Sequence, residues 1–238
     1  MSTERSDGPV TLITGGGTGI GAAATRRLLA RGHRVAVTGR RKERLEEFAT
    51  EAGAGPDLLT LPGDSADPGA VRAAVEAAVR EFGRLDAVVA NAGLSTHDTL
   101  ESGDPEQWRD MLNVNVLGPA VLIKEALPAL KESKGRIVLV GSTAGVKNTP
   151  GNMYSVTKWA VSALAENARV LVTGSGVGVT MVAPGRVETP FWDSREGGIP
   201  DGPFMTADTV AAAIEYALSQ PAGVEINSVV VRPTGQVH

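Results

Sequence analysis

The sequence predicts an α/β fold, a single domain built on a doubly wound seven-stranded parallel sheet with helices on both faces. Three observations lead there. Short β-rich runs alternate with helical patterns along the chain. The runs are apolar nearly throughout, instead of alternating with polar residues, which marks strands buried on both faces. No linker, repeat or low-complexity stretch divides the 238 residues, a length able to bury a substantial core.

Residues 1–8 read as a polar tail without an apolar signal core. The first strand is VTLIT, Val10 to Thr14, and a helix follows from about Gly19 to Ala30. RVAVTGR supplies a second strand over Val35 to Thr38, and KERLEEFATEAG a charged helix. DLLTL, Asp57 to Leu61, is the third strand, and a helix over residues 68–82 leads to the fourth, DAVVA. A long helical region from about Glu106 to Leu130 precedes RIVLV, Arg136 to Val140. Another, from about Asn152 to Val172, precedes VGVTMV. A last helix over Thr206 to Ser219 leads to INSVVV, Ile226 to Val231. Residues 190–205, PFWDSREGGIPDGPFM, are long for a connection and carry Phe191, Trp192 and Phe204, the composition of a substrate lid.

Composition narrows the function. The net charge of −4 and the absence of a basic run argue against nucleic acid and anionic membranes, and leave a small neutral or anionic ligand. There is no cysteine, so disulfides, thiol catalysis and zinc–thiolate sites are excluded. The three histidines, His33, His97 and His238, are scattered, so no metal site is expected. No stretch of 18 apolar residues offers a membrane span, and a cytoplasmic protein is expected.

Gly15 to Gly21, GGGTGIG, joins the first strand to the first helix. Glycines there let backbone N–H groups approach a phosphate at a helix N-terminus, where the dipole favours an anion. The dinucleotide fingerprint G-x-G-x-x-G/A matches only from Gly19 to Ala24, inside the expected helix. The better description is a looser turn on Gly15, Gly19 and Gly21. At the end of the second strand, where an NAD site usually has a carboxylate for the ribose, stand Gly39, Arg40 and Arg41. Guanidinium pairs with a 2′-phosphate, so NADP(H) is the expected cofactor. Farther on, YSVTK sets Tyr154 and Lys158 one helical turn apart on one face.

In this order the motifs resemble the short-chain dehydrogenase/reductase family over nearly the whole chain, which implies a Rossmann fold and an enzyme. TGGGTGIG at 14–21 resembles its cofactor turn, with Thr18 and Ile20 among the contacts, and NAG (Asn91 to Gly93) an element beside the cofactor. NVNVLG at 113–118 is similar to the segment with the family's catalytic asparagine, here Asn115, and GSTAG at 141–145 to the one with its serine, Ser142. YSVTK matches Tyr-x-x-x-Lys. APGRVETP at 183–190 resembles the loop over the nicotinamide and brings in Pro184, Gly185, Val187 and Thr189. The resemblance also places Asp64 at the adenine. It gives Lys158 the nicotinamide ribose, Ser142 the substrate oxygen and Asn115 a relay water.

The expected reaction interconverts a small polar alcohol and its ketone or aldehyde, with Tyr154 as general acid and base. Lys158 and the oxidised nicotinamide are expected to lower the tyrosine pKa. The ending VVVRPTGQV, in place of a glycine pair, resembles NADP-dependent enzymes of small 3-hydroxy acids and small aldehydes. It weakens the alternative of a 3-oxoacyl-carrier-protein reductase. A non-catalytic NADP-binding redox sensor is the other alternative. Arg186, Arg195 and Lys147 offer anchors for an acidic substrate, or simply face solvent. Leu171 stands where the family helix is expected to carry a glutamate after Arg169, which puts a salt bridge there in doubt. The apolar circumference of WAVSALAENARVLV, Trp159 to Val172, predicts a homo-oligomer, dimer or tetramer.

Overall fold

The computed structural model describes residues 7–236, so six residues of the expected tail, and His238, lie outside it. Its strands are β1 (Val10–Thr14), β2 (Arg34–Gly39), β3 (Leu58–Pro62), β4 (Ala87–Ala90), β5 (Arg136–Val140), β6 (Gly178–Pro184), β7 (Val187–Glu188), β8 (Met205–Thr206) and β9 (Ser228–Val231). Seven of them form one parallel sheet in the order β3-β2-β1-β4-β5-β6-β9. The order reverses between β1 and β4, and in such sheets ligands bind beyond the carboxyl ends of the strands at that point.

Alternate residues of each strand feed opposite cores. Leu12 packs with Val75, Phe82, Leu130 and Leu139 on one face, and Ile13 with Leu28, Val35, Val138 and Ile214 on the other. Each central strand is therefore buried at nearly every position and mostly apolar, with Thr11, Thr14, Thr38 and Thr180 among the buried exceptions. The edge strands are not so covered: β3 is mostly half-buried and β9 alternates between exposed and half-buried positions, contrary to the expectation of strands covered on both faces.

The helices are α1 (Gly19–Ala30), α2 (Lys42–Ala52), α3 (Pro68–Phe82), α4 (Pro105–Leu112), α5 (Gly118–Ser133), α6 (Met153–Val172) and α7 (Ala207–Leu218). Their starts are written locally. Asp67, Asp104, Asn152 and Thr206 each accept a backbone N–H of the first turn, and Pro68 and Pro105 stand at the first helical position, where no N–H is needed.

Two features depart from the sequence reading. The helix expected over 106–130 is α4 and α5 joined by a five-residue π-helical segment, Asn113–Leu117. Pro119 has no N–H to give the carbonyl of Asn115 and its ring would crowd that carbonyl in a regular helix. Gly118 lies where a Cβ would come within 2.4 Å of the Ser65 carbonyl oxygen. Pro128, inside α5, is accommodated without such a break. The second feature is the parallel pair β7–β8, which ties together the two ends of the 190–205 segment through Val187↔Met205 and Glu188↔Thr206. Among the described residues no helix is long and apolar enough to cross a membrane.

Candidate active site

A cleft of about 460 Å³ opens at the carboxyl end of the sheet. Ile20, Asn91, Gly93, Ser142, Tyr154, Lys158, Pro184, Gly185, Val187 and Thr189 line it, so ten of the expected site residues meet in one place.

Of the glycine turn and the helix it opens, Ile20 lines the cleft. Gly15 and Gly19 have φ of +65° and +51°, in the left-handed region that favours glycine. A Cβ on Gly21 would fall 2.2 Å from the Gly15 carbonyl oxygen, so α1 rises straight off the turn. Gly16, which the sequence reading passed over, is needed as well, since a Cβ there would lie 2.5 Å from Val37 Cγ1. Thr18 is extended just before α1, whose first turn carries no acid to offset its positive end. Thr189 comes down on this turn, 3.2 Å from where a Cβ of Gly19 would sit.

Asn91 braces the turn: its Nδ2 donates to the carbonyls of Thr14 (2.9 Å) and Gly15 (3.2 Å), and its N–H donates to Thr14 Oγ1 at 3.1 Å. Arg40 and Arg41, at the end of β2, are exposed and have no carboxylate partner among the described residues. Asp64 lines a separate cavity of about 280 Å³ between the ends of β1–β3 and α3, and accepts the Ala66 N–H at 2.9 Å. The buried Thr38 hydroxyl in that cavity has no hydrogen-bond partner among the described residues.

Asn115 sits in the π-helical segment and is buried. Its Nδ2 donates to the Leu94 carbonyl (2.9 Å) and Thr157 Oγ1 (3.0 Å), and its Oδ1 accepts the Leu94 N–H (2.9 Å). A Cβ on Gly93 would lie 3.3 Å from Asn115 Oδ1 and 3.4 Å from Lys158 Nζ, so a side chain there would crowd both. Ser142 lies two residues past β5, and its Oγ accepts the Ala144 N–H at 3.1 Å. Lys158 is 5% exposed, donates to the Val140 carbonyl at 3.0 Å and lies 5.6 Å from the centre of the Tyr154 ring.

Lys158 by itself does not lower Tyr154: burial pushes its phenol up to about 12, with a hydrogen bond to Ser142 acting in the opposite direction. Burial also draws Lys158 down to about 8. In this packed corner the cost of desolvating charge exceeds the attraction between phenolate and ammonium.

Phe191 and Trp192 wall the cleft beside Tyr154, with Phe191 and Tyr154 ring centres 5.5 Å apart. His97 reaches this wall from outside the expected set. Its Nε2 is 3.2 Å from the Phe191 carbonyl oxygen, and its ring stacks on Trp192 at 5.5 Å. The sequence marks His97 only as one of three imidazoles; its φ of +56° and its partners come from folding. Gln236 was missed too. Its side-chain oxygen accepts the Arg186 N–H at 2.9 Å, and the tail segment that carries it thereby closes one end of the cleft.

A doubly wound sheet with this cleft and this Tyr–Lys helix defines a class, and the chain belongs to the short-chain dehydrogenase family, whose model matches residues 9–198. Among its relatives, human dehydrogenase/reductase SDR family member 11 is 33% identical over 98% of this chain and 97% of that protein. An alcohol dehydrogenase from the archaeon Thermococcus sibiricus, complexed with 5-hydroxy-NADP, superimposes with a TM-score of 0.85 at 30% identity, covering 96% of this chain and 97% of that one. A serine dehydrogenase complexed with NADP+ gives 0.84 at 32%, covering 93% of each chain. A 3-ketoacyl-(acyl-carrier-protein) reductase from Brucella melitensis, complexed with NADH, gives 0.84 at 29%, covering 94% and 96%.

Proposed function

We propose that the protein is an NADP(H)-dependent oxidoreductase that interconverts a small polar alcohol and its ketone or aldehyde. The observation that carries this is the convergence of Ser142, Tyr154 and Lys158 on one cleft, with Asn115 held behind Lys158. The residues fit the cofactor: a glycine turn at an uncompensated helix N-terminus for the diphosphate, unpaired Arg40 and Arg41 for a 2′-phosphate, and the Asp64 cavity with its unpartnered Thr38 hydroxyl for the adenosine end. Bound there, the nicotinamide supplies or accepts the hydride.

Tyr154 gives its proton to the substrate oxygen in reduction and takes it back in oxidation. Its raised pKa keeps the phenol protonated across the neutral range, the form that reduction needs. Ser142 holds the same oxygen while negative charge grows on it. Lys158, drawn down to about 8, changes between ammonium and amine near neutrality and so can pass a proton toward Tyr154, with Asn115 beyond Gly93 fixing a water on the route. Residues 190–205, tied at both ends by β7 and β8, serve as the substrate lid. The protein works in the cytoplasm as a homo-oligomer, with no nucleic-acid or membrane partner.

The likeness to the serine dehydrogenase supports a small polar substrate. That to the 3-ketoacyl reductase supports the alternative of an acyl-carrier-protein thioester. A panel of small carbonyls and a 3-ketoacyl thioester, followed by loss of reduced nicotinamide absorbance, separates the two. On the best substrate, Tyr154→Phe keeps the ring and deletes the proton donor. Turnover should fall by about 10²- to 10⁴-fold with NADPH binding close to wild type. A variant retaining most of the turnover refutes the mechanism.

A further inference from the structure

Resting on that reading, we infer that the substrate carries an anionic group, and that Arg186 and Lys147 hold it at the mouth of the cleft. Every charged side chain that lines the cleft is basic: Lys147, Lys158 and Arg186. No Asp or Glu lines it, in a chain whose 27 acids outnumber its 23 lysines and arginines. Lys158 is turned inward to the Val140 carbonyl, which leaves the other two for a ligand.

Arg186 is set apart from the arginines whose charge is already met by a carboxylate. Eight others among the described residues pair with a carboxylate. Half-buried Arg186 pairs with none. Its guanidinium is instead aimed by neutral neighbours: Nη1 donates to the Asp201 carbonyl at 2.6 Å, and the Phe204 ring centre lies 5.9 Å from Cζ. A guanidinium has five N–H donors in a planar fork suited to two parallel bonds to a carboxylate or phosphate. A carbonyl and an aromatic ring orient that fork without neutralising it.

Among the described residues Lys147 has no ion pair either; it lines the same cleft five residues after Ser142, while Arg186 follows the end of β6. The two cations thus share one cleft with Tyr154 and Ser142, and Phe191 and Trp192 supply apolar lining. A cleft of about 460 Å³ must admit the nicotinamide as well as the substrate, so the substrate is an acid of few carbons or a short phosphate ester.

The test sets each anion against its neutral isostere: 2-, 3- and 4-oxo acids against their amides, and dihydroxyacetone phosphate against dihydroxyacetone, all with NADPH. The anionic member of at least one pair should be reduced with kcat/KM at least about tenfold higher, the scale of a charge-assisted hydrogen bond. In Arg186→Gln that ratio should fall to within about threefold of unity, and Arg186→Lys should restore part of it. Lys147→Gln, an exposed position, should lower the ratio in part. A ratio within one variant does not depend on how much of it folds. The acid and phosphate pairs tell the two anions apart.

Equilibrium binding of butyrate and butyramide to the NADP+ complex, followed by intrinsic tryptophan fluorescence, needs no turnover. Carboxylate-selective binding lost in Arg186→Gln supports the anion site even if no carbonyl is reduced, in which case the activity reading alone fails. Equal use and equal binding of anion and isostere by the wild type overturn the anion site and leave the activity standing. An unchanged ratio in Arg186→Gln overturns it too, and reduces Arg186 to a brace for Asp201.

Discussion

Lys158 and Tyr154 show that a motif read as electrostatics in water behaves differently in a packed corner. With the lysine at about 8 when folded and about 10.5 when unfolded, the unfolded chain binds more protons between those values. Stability from this group is therefore present above about pH 10.5 and lost as pH falls through about 8. Lys158→Met removes the dependence. In protein without nucleotide, the variant's stability advantage over the wild type should be about 2 kcal/mol greater at pH 7 than at pH 10, because each tenfold loss of proton affinity on folding is worth about 1.4 kcal/mol. Urea unfolding at both pH values checks this, and an equal difference at the two would show that the ammonium is not penalised. Arg40 poses the other single-residue question. A carboxylate there would repel a 2′-phosphate, so Arg40→Asp should weaken NADPH at least about tenfold and leave NADH within about threefold, measured as dissociation constants at fixed salt. Equal loss for both cofactors would move the phosphate site elsewhere.

At the level of elements, the glycine turn is a contest between propensity and space. Alanine at position 21 favours a helix by about 1 kcal/mol over glycine. Its Cβ would lie 2.2 Å from the Gly15 carbonyl oxygen and 2.6 Å from Asn91 Nδ2, and displacing that backbone costs about 1–3 kcal/mol or more. At the upper end of that cost Gly21→Ala should destabilise, by about 2 kcal/mol net in urea, with loss of nucleotide affinity. Gly174→Ala, with nothing within 4 Å of its Cβ, should stay within about 0.5 kcal/mol. The looser spacing Gly15, Gly19, Gly21 was legible because apolar run, glycines and helix pattern abut in the chain. The central strands were legible too, as their burial on both faces makes them mostly apolar from end to end. What stayed hidden depended on partners distant in sequence. Gly16 answers to Val37, and the π-helical turn at Asn115 to Pro119 together with the Ser65 carbonyl. The β7–β8 pair joins segments 18 residues apart, and His97 gains its place from Phe191 and Trp192. Leu171, which departs from the family helix, is resolved locally, because Arg169 pairs with Glu166 one turn back at 2.6 Å.

For the whole molecule the open question is what covers α6. Val156, Trp159 and Val170 recur at spacings that keep them on one side of the helix, with exposures of 51%, 45% and 60%. Leu171 beside them is 71% exposed, and Leu112 and Leu117, in α4 and the π-helical segment, are 36% and 45% exposed. Single exposed apolar residues need no explanation; a set on packed neighbouring helices does. A second copy related by a twofold axis would bury each of these side chains twice, at about 1.5–3 kcal/mol for a fully covered large residue. That is enough to hold a dimer at micromolar concentration against the cost of association. Sedimentation at 10 to 50 µM, a range set by the roughly micromolar affinity such a face would give, should find no monomer. Trp159→Glu should then shift the population toward the smaller species, because each dimer gains two charges in an apolar contact while the monomer gains one solvated side chain. Wild-type protein that sediments as a monomer throughout this range would leave α6 as an uncovered face. A Trp159→Glu protein with an unchanged assembly would place the contact on another face of the molecule.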